Sequence, residues 1–231
     1  MDQKVTPDDY KGHQLPDAFI EDAMQTYAEI PWLLAQTEGY NNIIDLGFGS
    51  GLVCRALGEA GKQVRMVDGS KTACKEARQY KGVDAVCSMF EAYEPTCTAD
   101  VVIASFVLEH VADPVALLKR CAQWAPRLIA VIGNAESWHR RLAVAMGLQP
   151  RLDTLSARDE AVGHYCVYTR HSIAAQLAEA GWLINSMRGI MFKPLPNAMM
   201  ANFDERLIRA MCEAAVEPRD AANIGLVCKR A

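Results

Sequence analysis

Asp45, Gly47, Gly49 and Gly51 stand in the spacing Asp-x-Gly-x-Gly-x-Gly, within Asp45-Leu46-Gly47-Phe48-Gly49-Ser50-Gly51. Glycines so placed let a backbone turn sharply and approach a ligand with no Cβ in the way. The apolar pair Ile43-Ile44 precedes the stretch, and the helix-like run Leu52-Val53-Cys54-Arg55-Ala56-Leu57 follows it. Strand, glycine loop and helix in that order present free N–H groups and the positive end of a helix dipole to anionic or polar ligand atoms. The ligand suited to such a turn is nucleotide-like. Its kind is narrowed by the third glycine, which comes one position earlier than in the dinucleotide fingerprint Gly-x-Gly-x-x-Gly, with Leu52 in the fingerprint's place. No Gly-Lys-Ser/Thr follows, so a phosphate-gripping P-loop is excluded. Asp45, at the end of its strand, suits an ammonium group better than a pyrophosphate.

A second acid agrees. Gln63-Val64-Arg65-Met66-Val67-Asp68-Gly69-Ser70 reads as a second strand ending in Asp68. An acid there, roughly 20 residues past the glycines, hydrogen-bonds a ribose diol in such folds. Further on come Cys87-Ser88-Met89-Phe90-Glu91, the apolar run from Ala99 to Phe106 with Val107-Leu108-Glu109-His110-Val111, Asp113-Pro114 with an amphipathic helix, and a strand over Leu128 to Ile132.

In this order the motifs resemble the class I S-adenosylmethionine-dependent methyltransferase family, over residues 40 to 135 and more weakly to the C-terminus. The resemblance implies an α/β fold: a Rossmann-like, doubly wound, seven-stranded sheet, mostly parallel with an antiparallel last strand, flanked by helices. It implies S-adenosyl-L-methionine as cofactor, held by Asp45, Gly47, Gly49, Gly51, Asp68, Gly69 and Ser70. Met89 and Phe90 would lie against the adenine, with Ser105 and Phe106 after the fourth strand. Phe48 departs from the family's small or polar residue at its position.

The elements that must position these residues are legible. Residues 1–38 read as an N-terminal arm and helix. Tyr10 and His13 in the arm are candidates to close over the cofactor, and Asp17 caps a helix from Ala18 to about Gln36, apolar at Phe19, Ile20, Ala23, Tyr27, Ile30 and Leu33. Strands and helices alternate through residue 132, as a parallel sheet requires. Ser172 caps a helix ending at Gly181, Leu183 to Phe192 and Asn223 to Lys229 are the sixth and seventh strands, and Phe203 to Ala215 is an amphipathic helix. Residues 1–231 form a single domain. The segment 133–170 is too long for an ordinary strand–helix connection. Ligands of open sheets bind outside the carboxyl ends of the strands, so this insertion after strand five reads as a substrate cap.

The chain has 231 residues, 51% hydrophobic and 23% charged, which is ordinary globular composition. Its net charge of -4 argues against a nucleic-acid partner and for a small-molecule substrate. Eight cysteines show no Cys-x-x-Cys pair and no zinc spacing, so no metal is expected and the thiols read as reduced. The polar start Met1-Asp2-Gln3-Lys4 is no signal peptide, and no apolar run reaches the ~20 residues needed to span a bilayer. A cytoplasmic protein without membrane partners is expected; a homodimer is allowed.

The sulfonium of the implied cofactor is already activated, so the cap's task is to align a nucleophile and exclude water. A hydroxyl acceptor usually needs a general base. His110, His139 and His164 lie near the site in sequence, and Glu136 is a fourth candidate. Each has a plainer alternative: packing beneath the cofactor for His110, a solvated basic face for His139, a loop hydrogen bond for His164, helix-start charge for Glu136. Arg140 and Arg141 suit a carboxylate or phosphate on the substrate, and Tyr165 and Tyr168 complete the cap's substrate candidates. Segments 134–142, 163–169 and 193–197 resemble a subgroup of bacterial-type methyltransferases of sugar, polysaccharide or secondary-metabolite pathways. Gly-His-Tyr-Cys here replaces that subgroup's Gly-His-Arg-Arg, so its substrate is not carried over. O-methylation of a small molecule is expected, with N-methylation of a small amine as alternative. A non-catalytic cofactor-binding relative and a nicotinamide-dependent oxidoreductase are the readings from other classes.

Overall fold

The structure is a computed structural model that describes residues 18–231; the arm with Tyr10, His13 and Asp17 lies outside the described residues. The chain enters through α1 (Ala18–Met24), a widened π-helical turn (Gln25–Glu29) and α2 (Ile30–Gln36), which run on as one helix. Pro31 explains the widening: it has no N–H to donate and its ring crowds the carbonyl four residues back. The turn closes instead by a bond from Ile30 N–H to the Gln25 carbonyl. The extra residue rotates the apolar face. Ile20, Met24, Ala28, Trp32 and Leu33 are buried, whereas Phe19, expected inward from a regular period, is 43% exposed.

Beyond it lie β1 (Asn42–Leu46), α3 (Leu52–Glu59), β2 (Gln63–Asp68), α4 (Lys71–Ala77), β3 (Val83–Cys87) and β4 (Val101–Ser105). A short 3-10 turn (Leu108–His110), α5 (Pro114–Trp124) and β5 (Arg127–Gly133) follow. After the cap helices α6 (Trp138–Ala145) and α7 (Ala157–Ala161) come α8 (Arg170–Glu179), β6 (Trp182–Ile190), α9 (Asn197–Met200), α10 (Glu205–Glu213) and β7 (Asn223–Arg230). The seven strands form one sheet in the order β3-β2-β1-β4-β5-β7-β6, in which β7 runs antiparallel to both neighbours. The order reverses between β1 and β4, where a crevice opens at the carboxyl ends and ligands settle.

Apolar side chains cover both faces, as the near-continuous apolar strands demand. The N-terminal helix, α3, α4 and α10 bury one face, around Ile43, Met66, Ile103 and Val131. The 3-10 turn, α5 and α8 bury the other, around Ile44, Val102, Leu128 and Trp182. One expected cap moves: Thr169, not Ser172, begins α8. Ser172 answers from the third helical position, so each side chain bonds the other's backbone N–H. No helix among the described residues is long and apolar enough to cross a membrane.

Candidate active site

Gly47, Gly49 and Gly51 all have positive φ, the left-handed conformation that favours glycine. A Cβ on Gly51 would lie 2.6 Å from the Phe48 ring, which stacks on Tyr80 at 6.2 Å. Phe48 is therefore a packing residue of the loop, and its departure from the family pattern is absorbed beneath Gly51. A Cβ on Gly49 would meet nothing within 4 Å among the described residues. The space beside Gly49 is open to a ligand.

Asp68 ends β2 half-buried. Its carboxylate accepts from Phe48 N–H at 2.8 Å and from Ser70 N–H at 2.7 Å. It therefore staples the glycine loop to the β2 end as well as offering lone pairs to a diol. Ser70 is buried and its hydroxyl caps α4 by accepting from Ala73 N–H at 3.2 Å, so it serves the helix. Gly69 is half-buried, and Met89, just past β3, is 51% exposed. An exposed apolar side chain there is suited to the face of a nucleobase; Phe90 packs inward instead.

Ser105 closes β4, and Phe106 follows with φ 52, a costly backbone for a residue with a Cβ. The Ser105 hydroxyl donates to Glu29 in a short hydrogen bond. Glu29 is wholly buried, and its second carboxyl oxygen has no hydrogen-bond partner among the described residues. Burial pushes its carboxyl up to about 7, against the pull of the Ser105 hydroxyl and the nearby Gln25 amide. Asp45 is 2% exposed. Burial first and the Glu29 charge second hold its carboxyl well above the usual range. Glu29 was not singled out from sequence. The signal was an acid alone in an apolar run, Ala28-Glu29-Ile30-Pro31-Trp32-Leu33-Leu34.

The 3-10 turn supplies Glu109 and His110. Glu109 is buried, accepts from Gly133 N–H at 2.6 Å, and has one oxygen unpartnered among the described residues. Burial raises its carboxyl, although His164 and Gly133 pull it down. The ring of His110 stands edge-on to that of His164, with centroids 4.6 Å apart. Burial, then His164, pushes His110 down to about 4, so it is neutral at pH 7. His164 Nδ1 faces Asp159 Oδ1 at 3.3 Å, and its side chain keeps 16% of its surface open. The cap closes onto the turn through Tyr165 N–H to the Glu109 carbonyl at 2.7 Å.

The other cap candidates go elsewhere. Arg140 is buried, pairs with Asp159 at 3.1 Å and donates to the Leu152 and Thr154 carbonyls. It builds the cap rather than presenting a free fork. Arg141 pairs with Asp220 and lies 4.9 Å over the Trp138 ring. Tyr168 is 1% exposed and donates to the Leu108 carbonyl at 3.1 Å, which makes it a core residue. Glu136 accepts from Arg170 at 3.0 Å at the start of α8. Partial burial works upward on its carboxyl, but the Arg170 contacts prevail and hold it low. His139 is pushed down to about 2 by burial, then by Lys193 and Arg140, and its buried Nδ1 has no hydrogen-bond partner among the described residues.

A cleft of about 310 Å³ opens at the amino ends of β1, β2 and β3, beside Asn42, Gln63 and Val83. It lies on the opposite sheet edge from the glycine loop, so it is not the nucleotide crevice. Among the described residues no cluster of three or more His, Cys, Asp or Glu side chains is placed to hold a metal ion.

A sheet of this order, with a glycine loop, a strand-two acid and a capped carboxyl edge, defines a class I methyltransferase fold. The family model described as a methyltransferase domain matches residues 15–186. The chain belongs to that family, whose cofactor is S-adenosylmethionine. It is 26% identical over 169 residues to a ubiquinone biosynthesis O-methyltransferase of Rhodopseudomonas palustris, covering 70% of this chain and 66% of that one. To the enzyme of the same description from Bradyrhizobium diazoefficiens it is 36% identical over 85 residues, 35% of this chain and 34% of that one. The matched segments thus span a third to two-thirds of those relatives. In fold it is similar to an S-adenosylmethionine-dependent methyltransferase of Mesorhizobium loti, TM-score 0.63 at 17% identity, covering 91% of this chain and 100% of that one. The magnesium protoporphyrin IX methyltransferase of Synechocystis, with bound S-adenosylhomocysteine, has TM-score 0.57 at 19% identity, covering 100% and 90%.

The residues present fit the cofactor. Gly49 leaves room for a close ligand among the described residues, Met89 offers an apolar face, Asp68 retains lone pairs, and one oxygen of buried Glu29, near Asp45, lacks a partner among the described residues.

Proposed function

We propose that this chain transfers the methyl group of S-adenosylmethionine to a hydroxyl of a small molecule, with His164 as the general base. The cofactor supplies a methyl already activated on a sulfonium. The glycine loop, Asp68 and Met89 hold its nucleoside, and the cap orders the acceptor and excludes water. The observation that carries the reading is the His164–Asp159 pair. Asp159 Oδ1 faces Nδ1 at 3.3 Å without a formed hydrogen bond; its negative charge favours the proton on that nitrogen and leaves Nε2 to take the acceptor's proton. Neutral His110, edge-on to the same ring, keeps a second positive charge away from it.

Relatives named as ubiquinone biosynthesis O-methyltransferases support oxygen as the methylated atom. Ubiquinone-biosynthesis intermediates are therefore the first acceptors to assay, with sugars and secondary metabolites second. The anionic-substrate reading loses support, because Arg140 and Arg141 are both engaged within the protein. The test is His164→Gln, followed by S-adenosylhomocysteine production from the best acceptor. Turnover should drop about 10²–10⁴-fold with cofactor affinity unchanged. Undiminished turnover would refute the base and favour an amine acceptor, which needs none.

A further inference from the structure

Glu29 is the buried group that the reading above leaves idle, and its setting is unusual. It sits on the last residue of a π-helical turn, a form that recurs at functional positions. It is wholly buried at the carboxyl edge, one oxygen bonded by Ser105 and the other bonded by nothing among the described residues. Asp45, nearly as buried, is close enough for the two charges to oppose each other. The groups facing the pair are polar or acidic: Gln25 on the same turn, Ser105 from β4, and the Cys54 thiol from α3, which Asp45 itself pushes up. No cation acts on either acid among the described residues. Two unpaired carboxylates in one dry site cannot both ionise cheaply, so the pair keeps a proton until a cation arrives.

We propose that Glu29 and Asp45 form one proton-holding receptor for the α-ammonium of the cofactor's amino-acid end, so that binding expels a proton to solvent. The inference rests on the S-adenosylmethionine reading and adds a positioning residue to it, from the helix before the first strand. The exchange balances: one carboxyl O–H bond breaks, the proton goes to buffer, and the ammonium's charge replaces it. The sign is fixed by Glu29, whose carboxyl stands at about 7 in the free protein. Below that pH the proton competes with the ammonium, so affinity falls as pH falls, by up to about tenfold per unit. Asp45 is held up in turn by burial and then by the Glu29 charge, so affinity goes on rising above that pH until the ligand's own α-amino group titrates near about pH 8.

The experiment is calorimetric titration at pH 6 in buffers of different ionisation enthalpy, which counts protons. S-Adenosylhomocysteine carries the ammonium without the sulfonium; 5′-methylthioadenosine carries the same nucleoside without the amino acid. The first should release about one proton per site and the second none. Glu29→Gln keeps the shape and an oxygen for Ser105. It should lose most of the release and bind S-adenosylhomocysteine about 10–100-fold more weakly at pH 7.5. Equal release by both ligands, release by neither, or wild-type release from Glu29→Gln overturns the inference. If that variant does not fold, the two ligands on the wild-type protein still decide. Binding without release refutes the inference alone, whereas no binding of either ligand refutes the cofactor reading beneath it.

Discussion

Asp159→Ala strips the cap of the carboxylate around which it is built. Asp159 accepts from Ser156 N–H and Ser156 Oγ, each at 2.7 Å, and pairs with Arg140 at 3.1 Å. Its loss leaves Arg140, whose side chain is 10% exposed, with a buried charge and only the Leu152 and Thr154 carbonyls to solvate it. Removing one partner of a buried pair typically costs about 3–5 kcal/mol. The two remaining carbonyls place this site at the low end, about 3 kcal/mol. In a chain of this size that lowers the melting temperature by about 6–12 °C if the cap melts with the rest. If the cap opens alone, residues 147–168 become sensitive to limited proteolysis instead. The double variant Arg140→Met, Asp159→Ala removes both charges, and it should recover about 1–2 kcal/mol of the loss. Turnover should fall in every variant that lacks Asp159, because His164 is then unoriented. Asp159 also sets an acid limit. Burial pushes its carboxyl up, but the His164, Ser156 and Arg140 contacts outweigh this and hold it well below the usual range. A depressed carboxyl contributes stability above its unfolded value of about 3.9 and loses it as pH falls further. The cap should therefore hold at pH 5 and loosen below about pH 4. An Asp159→Ala protein with unchanged melting and protease resistance would refute this account, as would a double variant less stable than either single one.

Asp68→Ala should weaken cofactor binding by about 1–3 kcal/mol in calorimetry; because Asp68 also holds Phe48 and Ser70, Asp68→Asn should lose less, and wild-type affinity in both would place the ribose elsewhere. Gly49→Val should abolish cofactor binding, because its side chain fills the ligand's space and a β-branched residue is strained at φ 53; Gly49→Ala, strained less, should weaken binding in calorimetry while circular dichroism stays native, and normal binding by both would make the loop only a turn. His139→Ala should leave the pH–rate profile in place, in contrast to His164→Gln, and a lost acid limb in His139→Ala would reverse that assignment.

The glycine loop, the place of Asp68 and the strand order were legible because they are local: a turn needing positive φ writes glycine into the chain, and a parallel strand writes an apolar run that here ends in an acid. The cap was legible only as a length. Arg140-Arg141 read as an anion clamp, since guanidinium next to guanidinium looks unpaired along a chain. Their partners are Asp159 and Asp220, 19 and 79 residues away, a separation no local pattern reveals. Tyr168 and Ser70 likewise have partners that local pattern does not reveal, the Leu108 carbonyl and the start of α4. Glu29 was missed for the opposite reason. Periodicity weighs the apolar stripe and passes over the one acid inside it, and the π-helical turn that shifts the stripe is visible only as Pro31.

That N-terminal helix also contacts the segment after β5 directly. Glu21, eight residues before Glu29 on the same continuous helix, receives Arg158 of the cap at 2.6 Å, with Asn197 of α9 close to the same carboxylate at 3.4 Å. Arg158 neighbours Asp159 in α7, and Asp159 faces His164. One helix therefore grips the cap at one end and presents Glu29 to the β1 and β4 edge at the other. The exposed Glu21–Arg158 pair contributes little stability by itself. Its value is geometric: the acid proposed for the cofactor's ammonium and the base proposed for the acceptor's hydroxyl are referred to a single rigid element. In-line methyl transfer demands that kind of reference, since the nucleophile must meet the methyl–sulfur axis within a few tenths of an ångström.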